Sequence, residues 1–207
     1  MPKVPRDFYT ELGAEWLSQR KADGQTTQEL KYVMQFLGKE GKVLDLACGY
    51  GRFSIPLAEN GYLVEGLDIT PAFIERAREE ANRRGLKISF RIGNMEALPY
   101  EDNSFLSVIC MWNAFSELAS EREQVSTLME IYRVLSKGGK ALVEVRNHRS
   151  SGLVEANVID GHEAMPSYNH TRGSMKRLVK LAGIENYRIF IDDFGGRKRL
   201  LLVFNKA

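Results

Sequence analysis

Apolar residues along this chain fall into short runs of strand length that alternate with stretches of helical spacing, and that alternation predicts the fold. Residues 43–46, 62–67, 88–92, 105–111 and 140–145 are the runs; the fourth is nearly unbroken, as expected of a strand buried on both faces of a parallel sheet. Residues 52–60 read as a helix after the first run. A longer helix follows the second, with Thr70 as N-cap, Pro71 at the first helical position and Arg83-Arg84-Gly85 at its end. Ser120 and Glu123 have the spacing of a capping box, and Val125, Leu128, Met129, Tyr132 and Leu135 supply the apolar face of the next helix, which Gly138-Gly139 breaks.

Upstream, a helix around residues 7–20 carries Phe8, Leu12, Trp16 and Leu17 at helical spacing. After a polar break at 21–25, Thr26 and Glu29 again have capping-box spacing, ahead of a helix with Leu30, Val33, Met34 and Leu37 on one face. Downstream, residues 147–170 lose periodicity and read as a long loop or irregular insert. Residues 175–181 form an amphipathic helix, and the strands 187–192 and 200–205 read as a closing hairpin.

Five alternating β/α units imply a parallel sheet with right-handed crossovers and helices on both faces. The expected fold is α/β, Rossmann-like and doubly wound: a mostly parallel seven-stranded sheet with a C-terminal antiparallel hairpin, in three layers α/β/α. The expected organisation is one domain, with a helical cap at 1–38, a core at 42–146 whose strand ends would bind a ligand or cofactor, and an insert at 147–173.

Composition narrows the partners. Twenty-nine basic against 27 acidic residues give a net charge of +2, which makes no electrostatic case for nucleic acid or a membrane surface. The first residues lack the apolar core of a signal peptide and no apolar run approaches the ~20 residues that span a bilayer, so a cytoplasmic location is expected. Cys48 and Cys110 are too few for a disulfide framework and read as small buried core residues.

The chemistry concentrates around residues 43–53, where a strand passes through a turn with Gly49 and Gly51 into a helix. Glycines let a ligand approach the backbone, and a helix N-terminus offers unpaired N–H groups. Asp45 at the mouth of that turn would repel a dinucleotide pyrophosphate by about 1–4 kcal/mol and attract a cationic head. Asp68, Asn94 and Trp112 fall at other strand carboxyl ends, where ligands of such sheets lie. A carboxylate at Asp68 suits a pair of ribose hydroxyls; Asn94 offers an amide to an adenine edge, and Ile69 and Met95 offer apolar faces to the ring.

With these residues in place the chain resembles a class I methyltransferase dependent on S-adenosylmethionine, of the small methyltransferase type 11 kind. The resemblance covers roughly residues 30–145 and, in outline, the closing hairpin. The family's Val-Leu-Asp-x-Gly-Cys-Gly-x-Gly is matched by residues 43–51, with Ala47 where glycine is usual; Leu106 stands where the family often has aspartate. The resemblance implies S-adenosyl-L-methionine as cofactor, bound by Asp45, Ala47, Cys48, Gly49, Gly51, Asp68, Ile69, Asn94, Met95 and Met111, and no metal.

Methyl transfer from a sulfonium needs in-line alignment, exclusion of water and, for many acceptors, removal of one proton. Candidates for that proton are His148, Tyr168 and Glu144, and for acceptor binding Trp112, Asn113, Phe115, Arg146 and His170. All three histidines, His148, His162 and His170, read as surface residues of a polar loop whose spacing fits no standard metal motif. The expected acceptor is a small molecule and the expected protein a monomer or homodimer. An RNA or protein acceptor is the alternative, with Arg172, Lys176, Arg177, Lys180 and Arg197-Lys198-Arg199 as a basic track that otherwise reads as solvated surface. Two other classes share the features: a nicotinamide oxidoreductase, opposed by Asp45, by Ser54 at the third glycine position and by the hairpin, and a non-catalytic cofactor-binding regulator.

Overall fold

The computed structural model describes residues 5–19, 23–38, 41–155, 158–159, 162–163, 165–194 and 197–207. Seven strands make one sheet: β1 (Lys42–Leu46), β2 (Leu63–Asp68), β3 (Ser89–Ile92), β4 (Phe105–Cys110), β5 (Leu135–Arg146), β6 (Tyr187–Phe194) and β7 (Arg197–Asn205). Their spatial order is β6-β7-β5-β4-β1-β2-β3. The first five are parallel; β7 runs antiparallel to β5 and β6 antiparallel to β7, as the closing hairpin requires. Strand order reverses between β1 and β4, so the crevice for a ligand opens beyond their carboxyl ends.

Alternation along the strands sorts the core into layers. Val43, Ile109, Leu142 and Leu201 face α2 (Asp23–Leu37) and α3 (Ser54–Glu59), where Val33, Leu37 and Leu57 complete one cluster. Leu44, Val108, Val143 and Leu202 face the other way, onto Leu128, Ile131 and Val134 of α5 (Glu121–Val134) and Met175, Leu178 and Val179 of α6 (Arg172–Leu181). Burying each such side chain contributes about 1.5–3 kcal/mol. Helix α4 (Pro71–Arg83) covers the β2–β3 end with Ile74, Ala77 and Ala81 against Phe90. The approach there is close: a Cβ on Gly66 would stand 2.6 Å from the Phe90 ring and 2.9 Å from Cys48 Sγ.

Several expectations shift in detail. The capping box at Ser120 and Glu123 is present, but Met129 is 54% exposed and the buried face of α5 runs through Leu128, Ile131 and Val134. Helix α1 (Pro5–Gln19) is interrupted at Gly13, whose φ of 78° and ψ of 166° divide it in two. Thr26 and Glu29 do not cap α2, which already begins at Asp23; both meet Arg52 instead. Within the span 147–170, read as a long loop or irregular insert, the described residues form two short ladders: Gly152–Val154 pairs antiparallel with Ser167–Asn169, and Val158–Ile159 with His162–Glu163. Strands of two or three residues are too short to leave a detectable period.

Candidate functional site

Three consecutive odd positions of the turn after β1 take left-handed backbone: Ala47 at φ 56°, Gly49 at 55° and Gly51 at 86°. Ala47 therefore stands where the missing glycine matters, because a Cβ in that region costs about 1 kcal/mol. At Gly51 an added Cβ would also come within 3.0 Å of Ile55 Cδ1.

Asp45, expected at the mouth of the turn, lies beneath it. It is 2% exposed and its Oδ2 accepts a hydrogen bond from Ser54 Oγ at 2.6 Å. Burial pushes its carboxyl up to about 7, against the opposing hydrogen bonds from Ser54. Asp68 ties β2 to the same turn: Oδ2 accepts from the Gly49 N–H and Oδ1 from the Thr70 N–H, each at 2.8 Å. Burial raises its pKa too, with those N–H groups pulling the other way. Cys48 and Cys110 are buried free thiols, both lifted above the ordinary thiol range by burial.

Around this turn Ile69 and Met95 are half-buried. Asn94 is exposed; its Oδ1 accepts from the Glu96 N–H at 3.0 Å and its Nδ2 donates to Glu96 Oε1 at 3.2 Å. Met111 is buried among the residues that pack on α2.

At the end of β4, Trp112 and Asn113 both take left-handed backbone, φ 58° and 65°. Asn113 stitches β4 to β5. Its N–H donates to Glu144 Oε2 at 3.1 Å, and its Oδ1 accepts from the Arg146 N–H at 2.9 Å and Ser116 Oγ at 2.8 Å. Glu144, a candidate base, is 3% exposed and paired with Arg199 at 3.2 Å. Arg199 is thus a buried ion-pair partner and not part of a solvated basic stretch.

The second acceptor-side group is aromatic. Phe115 and His170 are fully buried with ring centroids 5.6 Å apart, and Tyr168 stacks on His170 at 5.0 Å. His170 is accordingly no surface histidine. Neither ring nitrogen has a hydrogen-bond partner among the described residues, and burial lowers its pKa to about 4, leaving it neutral. His148 is half-buried and its pKa is lowered by burial and then by Arg146, which is exposed. The side chain of His162 lies outside the described residues.

Four residues of the site carry no signal in the motif. Arg52, directly after Gly51, forms a buried ion pair with Glu29, donates from Nε to Thr26 Oγ1 at 3.3 Å, and stacks 4.7 Å from the Phe53 ring centroid and 5.0 Å from that of Trp112. A clue existed: Glu29, Val33 and Leu37 share one helical stripe, so Glu29 is an acid on a buried face. The other pair is Tyr9 and Glu117. The Tyr9 hydroxyl donates to Glu117 Oε1 at 2.5 Å, joining α1 to the short 3₁₀ turn Ala114–Glu117 after β4. Burial raises the Glu117 carboxyl to about 8, with the Asp68 charge adding to it and the Tyr9 hydrogen bond opposing.

Helix α1 lies over the turn. The Tyr9 ring sits 5.4 Å from that of Phe73 on α4, and a Cβ placed on Gly49 would be 3.8 Å from Leu17 and 3.9 Å from Phe73. A groove of about 1250 Å³ between α1, α2, α3 and α4 reaches the far side of this turn at Tyr50, Gly51 and Arg52 and is otherwise lined by charged residues such as Glu15, Arg76 and Glu80; Asp45, Asp68 and Asn94 do not line it. Among the described residues no group of three or more His, Cys, Asp or Glu is placed to hold a metal ion, and no helix is long and apolar enough to cross a membrane.

The family model for methyltransferase domains matches residues 43–139. A demethylmenaquinone methyltransferase of Deinococcus radiodurans is 37% identical over 117 residues, 56% of this chain and 47% of the relative. The chain spans about half the length of the curated relatives it matches. Among solved structures, the PH0226 protein of Pyrococcus horikoshii is 25% identical with a TM-score of 0.74, covering 96% of this chain and 95% of that one. The 1,6-didemethyltoxoflavin-N1-methyltransferase of Burkholderia thailandensis, solved with its acceptor and S-adenosylhomocysteine, shares the fold at a TM-score of 0.75 and 16% identity, covering 98% and 87%.

Proposed function

We propose that the chain, whose residues 43–139 match the family model for methyltransferase domains, transfers a methyl group from S-adenosylmethionine to a small-molecule acceptor. The observation that carries the reading is the convergence of Asp45 and Asp68 on one turn whose Gly49 and Gly51 take left-handed backbone. The residues present fit the cofactor. Acids at the ends of β1 and β2 suit a ligand with cationic and hydroxyl groups, and would repel a pyrophosphate.

In this reading Asp68 takes the ribose hydroxyls, and Ile69, Asn94 and Met95 hold the adenine. Ala47, Cys48, Gly49 and Gly51 present backbone to the amino-acid part, Met111 packs behind it, and Asp45 acts from beneath through Ser54. When bound, the cofactor supplies a methyl group already activated by its sulfonium. The chain's own contribution is orientation and exclusion of water, for which α1 lying over the turn is suited.

The same cover favours a small acceptor over RNA or protein, since Tyr9 packs on Phe73 and Leu17 lies against Gly49, narrowing access to the turn. Trp112, Asn113, Arg146, Tyr168 and His170 border the acceptor side, with Phe115 as its floor and His148 at its edge.

Two measurements test this. Calorimetric titration should give binding of S-adenosylhomocysteine and none of NAD; the reverse would sink the reading. Incubation with radiolabelled cofactor and cell fractions should put label in metabolites of low mass, and label confined to RNA or protein would move the acceptor to the other class.

A further inference from the structure

Tyr9 and Glu117 meet across the crevice in a position that orienting the cofactor does not explain. Glu117 projects from the 3₁₀ turn that follows β4, on the acceptor side of the switch point, and Tyr9 reaches it from α1 at 2.5 Å. Among the described residues the ionisable groups that face Glu117 are Tyr9 on α1, Asp68 at the end of β2 and Cys110 on β4, none of them a cation. A half-buried carboxylate set beside a second carboxylate and a phenol is placed to receive positive charge or a proton.

We propose that Glu117, held by Tyr9, is the catalytic base of this site and that its acceptor is an amine. This deepens the methyltransferase reading and rests on it. An amine enters as an ammonium, which Glu117 pairs with and deprotonates. The freed lone pair then forms the new C–N bond as the C–S bond breaks, with its electrons left on sulfur. One proton has moved to the carboxylate, one methyl to nitrogen, and the sulfonium has become a neutral thioether. The carboxyl poised near 8 matches an ammonium far better than an alcohol, whose proton lies many powers of ten out of its reach.

Sinefungin, the cofactor analogue that carries an amino group in place of the sulfonium methyl, reports on this position without any acceptor. By calorimetry the intact protein should bind sinefungin about tenfold more tightly than S-adenosylhomocysteine, one charge-assisted hydrogen bond being worth that much. Glu117→Gln should abolish the preference while S-adenosylhomocysteine affinity stays within about twofold. In the unmodified protein the preference should grow as pH rises from 6 to 8, which needs no variant to fold. Equal binding of both ligands at every pH overturns the role of Glu117 and leaves the methyltransferase reading standing. Failure of both ligands to bind overturns the two together.

Discussion

Glu29 and Arg52 form an ion pair out of water, at 4% and 8% exposure, between the inner face of α2 and the turn that follows β1. Through it the second helix of the N-terminal cap is fastened to the turn after β1, and the same guanidinium carries Trp112 on its flat face. Arg is suited to the place because its planar charge can pair and stack at once.

Removing one partner strands the other charge. Glu29→Gln should cost about 3–5 kcal/mol in denaturant unfolding, whereas the double change Glu29→Leu with Arg52→Met should recover most of that loss. A double variant as unstable as the single one would show that the pair is not the source of the cost.

A similar contrast applies between β5 and β7. Arg199→Ala should destabilise by about 3–5 kcal/mol because it leaves Glu144 buried without its cation, while Lys198→Ala on the exposed neighbour should stay within about 0.5 kcal/mol. Thermal unfolding of the two variants side by side decides it.

Asp45 makes stability depend on pH. Its carboxyl is raised from 3.8 to about 7, so the folded state prefers the proton; that contribution is complete below about pH 4 and is lost as pH rises toward 7 and beyond. Asp45→Asn should therefore be more stable than the parent at pH 8, by about 2–4 kcal/mol, with the gap closing near pH 4. The same variant should bind S-adenosylhomocysteine more weakly, and unchanged affinity would remove Asp45 from the cofactor's environment.

Ala47→Gly should raise stability by about 0.5–1 kcal/mol, since the backbone there is left-handed and the exchange removes the Cβ that opposes it. A melting temperature that falls would mean the gain in unfolded-chain freedom outweighs the strain.

The layered α/β/α architecture was legible because β4 and residues 200–204 of β7 are near-continuous apolar runs and because Ser120 with Glu123 marks a helix start. Asp68 and Asn94 were legible because they fall at strand ends. Most of what escaped depends on residues distant in sequence. Thr26 and Glu29 have capping-box spacing, and nothing local says that a guanidinium from residue 52 takes both. Glu144 reads as an open strand-end acid until β7 brings Arg199 beside it. Ala47 needed its φ to be known before the missing glycine meant anything. The insert's pairs, such as Leu153 with Tyr168, are single residues apart from any regular period.

Helix α1 precedes in the chain everything it docks on: Tyr9 meets Phe73 and Glu117, the latter 108 positions later. Closing so long a loop brings contacts that form only after the sheet exists. The cover over the crevice should then be the last part to fold and the first to open, exchanging its amide hydrogens well before β1 and β4 do. A site whose entrance is the least cooperative piece of the molecule can admit and release ligand without disturbing the layers that shape it.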